Sequence, residues 1–202
     1  MPVKDCKTEQ LIKDTARRIF LKEGRMLATT QDIADTAGVN RTLLHYYFRS
    51  RDALFNIVFS EAVTKLRERI HEVIGASLVF RKKIENLLDV FYEELTELPY
   101  LETFIVLHLN QDHDKYEELF TKLPGGKERL KNFLKEIQQE METGNIPEMK
   151  PINYFINLFA LMAYPFVARP IYKNIFDLTD TAYNKLLPER KEVIMSLLFK
   201  QV

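Results

Sequence analysis

The stretch from Ala28 to Leu54, ATTQDIADTAGVNRTLLHYYFRSRDAL, constrains this chain more than any other. Thr29 has N-cap chemistry, and Asp32 three residues on completes a capping-box spacing ahead of the apolar pair Ile33 and Ala34, so a short helix begins there. Ala37-Gly38-Val39-Asn40 ends it. Gly38 supplies the left-handed backbone of a tight turn, and Asn40 caps a second helix running through Leu43, Leu44, Tyr47 and Phe48. On the helical period Ile33, Ala34, Ala37, Val39, Leu44 and Phe48 converge on one small core, which leaves Gln31, Arg41, Thr42, His45, Tyr46 and Arg49 facing outward. Two steeply crossed helices with a hydrogen-bonding outer face suit the major groove of DNA. They bury too little apolar surface by themselves. The amphipathic run from Thr8 to Glu23 supplies a third helix through Leu11, Ile12, Thr15, Ala16, Ile19 and Phe20.

With those residues in view, the run from Thr8 to Leu54 resembles the N-terminal DNA-binding domain of the tetracycline-repressor (TetR) family of bacterial transcriptional regulators. Gly24, Ile33-Ala34, Ala37-Gly38-Val39, Leu44, Tyr47-Phe48, Ser50, Asp52 and Leu54 fall at the family's spacing. The resemblance implies an all-α chain of about nine helices. A three-helix DNA-binding domain occupies residues 7–54, with the helix-turn-helix at about 29–48, and a helical effector-binding and dimerisation domain occupies residues 55–202. It further implies that Thr29 and Thr30 open the helix crossing the DNA backbone and that Gln31 reaches phosphate or a base. Arg41, Thr42 and His45 fall on the recognition helix, and Tyr47 and Arg51 match positions that grip phosphate. Asn40 and Tyr46 complete the candidate DNA-binding set. The chain departs from the pattern at Arg25, Ala28, Leu43, His45 and Arg51, so the binding mode carries over but no operator sequence does.

A net charge of zero looks wrong for such a protein until it is split by region. Residues 1–60 carry ten Lys or Arg against seven Asp or Glu, and the remaining residues carry nineteen against twenty-two. A local excess this small disfavours a nonspecific DNA coat and requires two copies acting together. The single cysteine, Cys6, falls in a leader expected to be poorly structured; it excludes an intramolecular disulfide and fits a reducing cytoplasm. No secretory leader or membrane span is expected, because the most apolar run, Ile152 to Ala168, is broken by Asn153, Asn157 and Pro165.

Beyond the first helices, the three-four spacing predicts a long helix from Arg51 to Gly75 and further helices over Phe80–Leu98, from Tyr100 to about Leu109 or beyond, and, after a loop at Pro124-Gly125-Gly126, over Lys127–Glu142. Ile152 to about Lys173 reads as one hydrophobic helix and Pro188 to Phe199 as the last. His108, Asp112, His113 and Asp114 cluster, but two histidines five apart share a helix face poorly, and no metal or cofactor is expected. Phe91, Tyr92, Phe104, His108, Tyr154 and Phe159 are candidates to line a small-molecule pocket, though pockets and cores share this composition. Phe155, Phe159, Phe166, Ile194, Leu197 and Leu198 are candidates for a homodimer interface; one larger monomeric core is the alternative.

These readings converge on a ligand-responsive regulator, a repressor that binds a palindromic double-stranded DNA operator as a homodimer and answers an unknown small-molecule effector. The alternative is a helical small-molecule-binding or interaction module that does not bind DNA. An enzyme is disfavoured: the sequence has no GxSxG, no glycine-rich phosphate loop and no nucleophile with a supporting base.

Overall fold

The computed structural model describes residues 5–111 and 125–200, and every regular element among them is helical. Helix α1 (Cys6–Arg17) is capped by the Asp5 carboxylate and runs on into one wider turn over Arg18–Lys22. Cys6 is therefore the exposed first residue of a helix, not part of an unstructured leader, because Asp5 supplies the acceptor for the Lys7 N–H. Helix α2 (Thr30–Ala37) has the full capping box between Thr29 and Asp32 and stops at Gly38, whose φ is 69°. Helix α3 (Arg41–Tyr47) starts at Asn40, whose side chain accepts from the Leu43 N–H at 2.7 Å.

Ile12, Ala16, Ile19, Phe20, Ile33, Ala34, Leu44 and Phe48 close the core of these three helices. Leu11 stays 48% exposed, since it lies one position off the inward stripe of Ile12, Thr15, Ala16 and Ile19.

Helix α4 (Arg51–Gly75), capped by Ser50, keeps the boundaries its periodicity predicts and packs on α1, on α5 (Phe80–Glu97), on α6 (Leu101–Gln111) and on α7 (Gly126–Glu142). Lys13 and Arg17 of α1 both pair with Glu61 of α4, and Arg69 of α4 pairs with Glu93 and Glu94 of α5.

The C-terminal third differs from its expected layout, which brings the described α-helices to ten. The single helix read over Ile152–Lys173 is two, α8 (Pro151–Val167) and α9 (Arg169–Ile175), inclined by 63°. Pro170 sits in the first turn of α9, where its missing N–H leaves nothing unpaired. Pro165, inside α8, leaves the Leu161 carbonyl without its helical donor. Arg190 donates to that carbonyl at 3.4 Å, and the Tyr183 hydroxyl donates to the Pro165 carbonyl at 2.6 Å. Both donors come from α10 (Asp180–Leu198), so the break in one helix is stitched by its neighbour. Helix α10 also begins earlier than expected: Thr179 caps it and it runs through Pro188, which sequence reasoning takes as its start. One continuous buried cluster extends from Ile12 to Phe199.

Candidate nucleic-acid interface and the cavity beside α4

The outer face of α3 carries Arg41, Thr42, His45 and Tyr46, all exposed. Arg41 Nε donates to His45 Nε2 at 3.3 Å, and His45 Nδ1 lies 3.3 Å from the Arg49 carbonyl. Donation by an arginine makes Nε2 the acceptor, so Nδ1 carries the proton and bonds the carbonyl. This chain of contacts, at four-residue steps, orders Arg41 along the helix before any ligand arrives.

Gln31, also exposed, extends from the start of α2 with its amide donating to Asp35 at 2.7 Å. Thr29 and Asn40 stand at the two helix starts with their side chains committed to caps. The Thr29 hydroxyl and backbone N–H both donate to Asp32 at 2.7 Å and hold its carboxyl below the usual carboxylate range.

Three of the sequence-predicted contacts sit differently from expectation. Thr30 is buried, because positions 30, 33 and 34 share the inward stripe of α2. Arg51 turns inward: its guanidinium donates to the Ala28 carbonyl at 3.0 Å and to the Met26 carbonyl, with the Phe20 ring 5.1 Å below. It clamps the loop before α2 rather than standing free for phosphate. The half-buried Tyr47 hydroxyl accepts from the Asp5 N–H at 2.9 Å and donates back to the Asp5 carbonyl at 3.3 Å, tying α3 to the start of α1.

A cavity of about 430 Å³ opens between α4, α5, α6, α7 and α8. Val63, Leu66, Ile70 and Ile74 of α4 form one wall, and Phe91, Ile105, Leu130, Phe155 and Phe159 complete the apolar lining. Two of the predicted pocket aromatics, Phe91 and Phe159, are among them. Tyr92, Phe104 and Tyr154 are instead buried in the core, and His108 packs on Phe59 with ring centres 4.6 Å apart.

Sequence reasoning missed the polar lining of Arg67, His71, Glu102, Lys127 and Arg129. One signal was present: Arg67 and His71 lie four apart on the otherwise apolar stripe of α4. Burial, then the charges of Arg129 and Arg67, push the His71 pKa down, and burial lifts that of Glu102 to about 7. Among the described residues no three His, Cys, Asp or Glu side chains gather as a metal site; Asp112, His113 and Asp114 lie outside them.

Residues 12–58, the α1–α4 segment carrying this interface, match the family described as bacterial regulatory proteins, tetR family. Over that segment the chain is similar to the TetR family. It is 30% identical over 79 residues to the HTH-type transcriptional regulator BetI of Rhizobium meliloti, 39% of each chain. It is 28% identical over 82 residues to the HTH-type transcriptional repressor KstR2 of Rhodococcus jostii, 41% of this chain and 40% of that one. The chain thus spans about two fifths of the length of these curated relatives. The fold likeness reaches further. The ketosteroid transcriptional regulator KstR2 of Mycobacterium tuberculosis superposes over 99% of this chain and 98% of its own with a TM-score of 0.67, at 15% identity.

The surface of the chain also differs from the expected set of pairing residues. Phe166, Ile194 and Leu198 are buried within the chain's own core, and Phe155 and Phe159 face the cavity; of the six, Leu197 alone is exposed, at 59%. The apolar side chains that do reach the surface on α8 and α10 are Ile152, Ile156, Tyr164, Leu186, Val193 and Leu197. The outward stripe is offset by one or two positions from the one first read, since α8 spends its most aromatic face on the core. No single helix among the described residues is long and apolar enough to cross a membrane.

Proposed function

We propose that this chain is a ligand-responsive transcriptional regulator, a cytoplasmic repressor without catalytic activity that binds a palindromic operator as a homodimer. The observation that carries the reading is the outer face of α3, where Arg41, Thr42, His45 and Tyr46 stand together in solvent on a helix anchored behind by Leu44 and Phe48. Residues 7–54 form the DNA-reading domain. Arg41, Thr42 and His45 meet base edges, with Gln31 beside them, and the starts of α2 and α3 meet phosphate through backbone N–H groups at Thr30 and Asn40. Residues 55–202 bind the effector and pair the subunits.

Pairing uses the exposed apolar stripes of α8 and α10, a surface that a monomer keeps in water at a cost. Helix α4 links effector to DNA. Its middle lines the cavity, while Arg51 at its start grips the loop that leads into α2. A small shift of α4 on filling the cavity changes the separation of the two DNA-reading units. A coupling of about 1–3 kcal/mol is enough to change operator occupancy severalfold to a hundredfold.

Footprinting on the DNA flanking the chain's own gene tests this reading. The expected result is two protected, symmetry-related half-sites about one helical turn apart. Protection of a single unpaired site, or none, contradicts it.

A further inference from the structure

The cavity beside α4 has walls and charges that do not match. Its lining is mainly apolar, yet Arg67, His71, Lys127 and Arg129 share it with one carboxylic acid, Glu102. Among the described residues neither Arg67 nor Arg129 has an ion-pair partner. Arg129 donates to the His71 carbonyl at 3.4 Å, and Arg67 Nε is buried with no acceptor. The acid whose field reaches Arg67 is the exposed Glu68.

Arg67 and His71 lie one turn apart on α4 and the Arg129 guanidinium reaches the His71 carbonyl, so these groups border the same part of the cavity. The first turn of α7, Gly126 and Lys127, borders the same cavity, and its N-cap, Gly125, has no side chain to cap it. Its leading N–H groups add positive potential there. Glu102 does not neutralise the cluster: among the described residues it forms no ion pair with any of these cations. Cations crowded against an apolar wall suffer desolvation and mutual repulsion, which an anion relieves.

We propose that the cavity takes an amphipathic anion, with an apolar body against Leu66, Ile70, Phe91 and Phe159 and one carboxylate or phosphate head on Arg67 and Arg129. The effector is then an acid rather than a neutral or cationic lipophile. This rests on reading the cavity as the effector site, and the experiment separates the two.

Calorimetric titration of the full chain with dodecanoate, dodecyl phosphate, dodecanol and dodecyltrimethylammonium, each below its micelle concentration, varies the head at constant tail. Both anions are expected to bind about tenfold or more tighter than the alcohol, and the ammonium weakest. Whichever anion binds tighter identifies the head as carboxylate or phosphate. Arg67→Met and Arg129→Gln should each erode the preference, with circular dichroism confirming that they fold. Arg129 is exposed, so its variant carries the test if Arg67→Met does not fold. Equal binding of alcohol and anions, or a preference unchanged in the folded variants, overturns the inference. Operator affinity is read in parallel. Anions that fill the cavity and leave operator binding intact sink the effector reading alone, whereas release by dodecanol with no anion preference sinks the ligand class alone.

Discussion

Gly24 lies under the ring of Tyr100: a Cβ at Gly24 would stand 2.5 Å from a Tyr100 ring carbon. The Tyr100 N–H also donates to the Leu21 carbonyl at 3.0 Å. Backbone and ring together fasten the end of the first helical segment to the turn before α6. Gly24 has φ of +68°, so a side chain there is opposed twice, by its own backbone and by the ring. Gly24→Ala should lower unfolding free energy by about 1–3 kcal/mol in urea titrations. Tyr100→Ala in the same background should recover the part owed to the contact. An unchanged midpoint for Gly24→Ala would contradict this joint.

Arg51 serves the loop of Met26 and Ala28. Lysine keeps the charge and cannot span two carbonyls with one planar fork. Arg51→Lys should therefore lower the melting temperature of the DNA-free protein by an amount corresponding to about 1–3 kcal/mol, the cost of carbonyls left without a donor. A variant that melts like the parent and loses only DNA affinity would return Arg51 to phosphate binding.

The parts of this architecture written into neighbouring residues were legible in the sequence. The Thr29–Asp32 capping box, the left-handed turn at Gly38 and the Asn40 cap each need only a few residues, and all three form as read. The inward turn of Arg51 was not legible, because its acceptors are loop carbonyls more than twenty residues away. Prolines misled at both C-terminal helices: Pro170, read as interior to one helix, stands in the first turn of α9, and Pro188, read as a start, is tolerated inside α10, whose packing on α8 no local rule contains. The cavity cations escaped notice because Arg67 and Arg129 come from α4 and α7 and meet only in the folded chain.

Glu102 gives the fold a pH signature. Burial lifts its folded pKa to about 7 from the ordinary 4.5 of a solvated glutamate. Below the unfolded value both states hold the proton and there is no penalty. As pH rises from about 4.5 to 7 the unfolded chain releases its proton first, so stability falls through that window and then levels. Glu102→Gln should flatten this slope and stabilise the protein by about 1–2 kcal/mol at pH 8, allowing for screening in a partly open cavity. Parallel melting curves for parent and variant between pH 5 and pH 8 would contradict it.

Ile156 and Leu197 are 55% and 59% exposed on the apolar stripes of α8 and α10. A charge at either position leaves the chain's own core untouched. Ile156→Asp with Leu197→Asp should give a monomer by light scattering, with the helical content of the parent. A dimer mass that survives both changes would place subunit pairing on another surface.

The central claim is that the exposed face of α3 reads base edges. Fluorescence anisotropy on the footprinted operator, across a salt series, tests it with Arg41→Ala and Thr42→Ala. Each is predicted to cost about 1–3 kcal/mol of operator affinity per subunit. Discrimination against a scrambled duplex should fall while helicity and dimer mass stay at parental values. Parental affinity and discrimination in both variants would contradict the account.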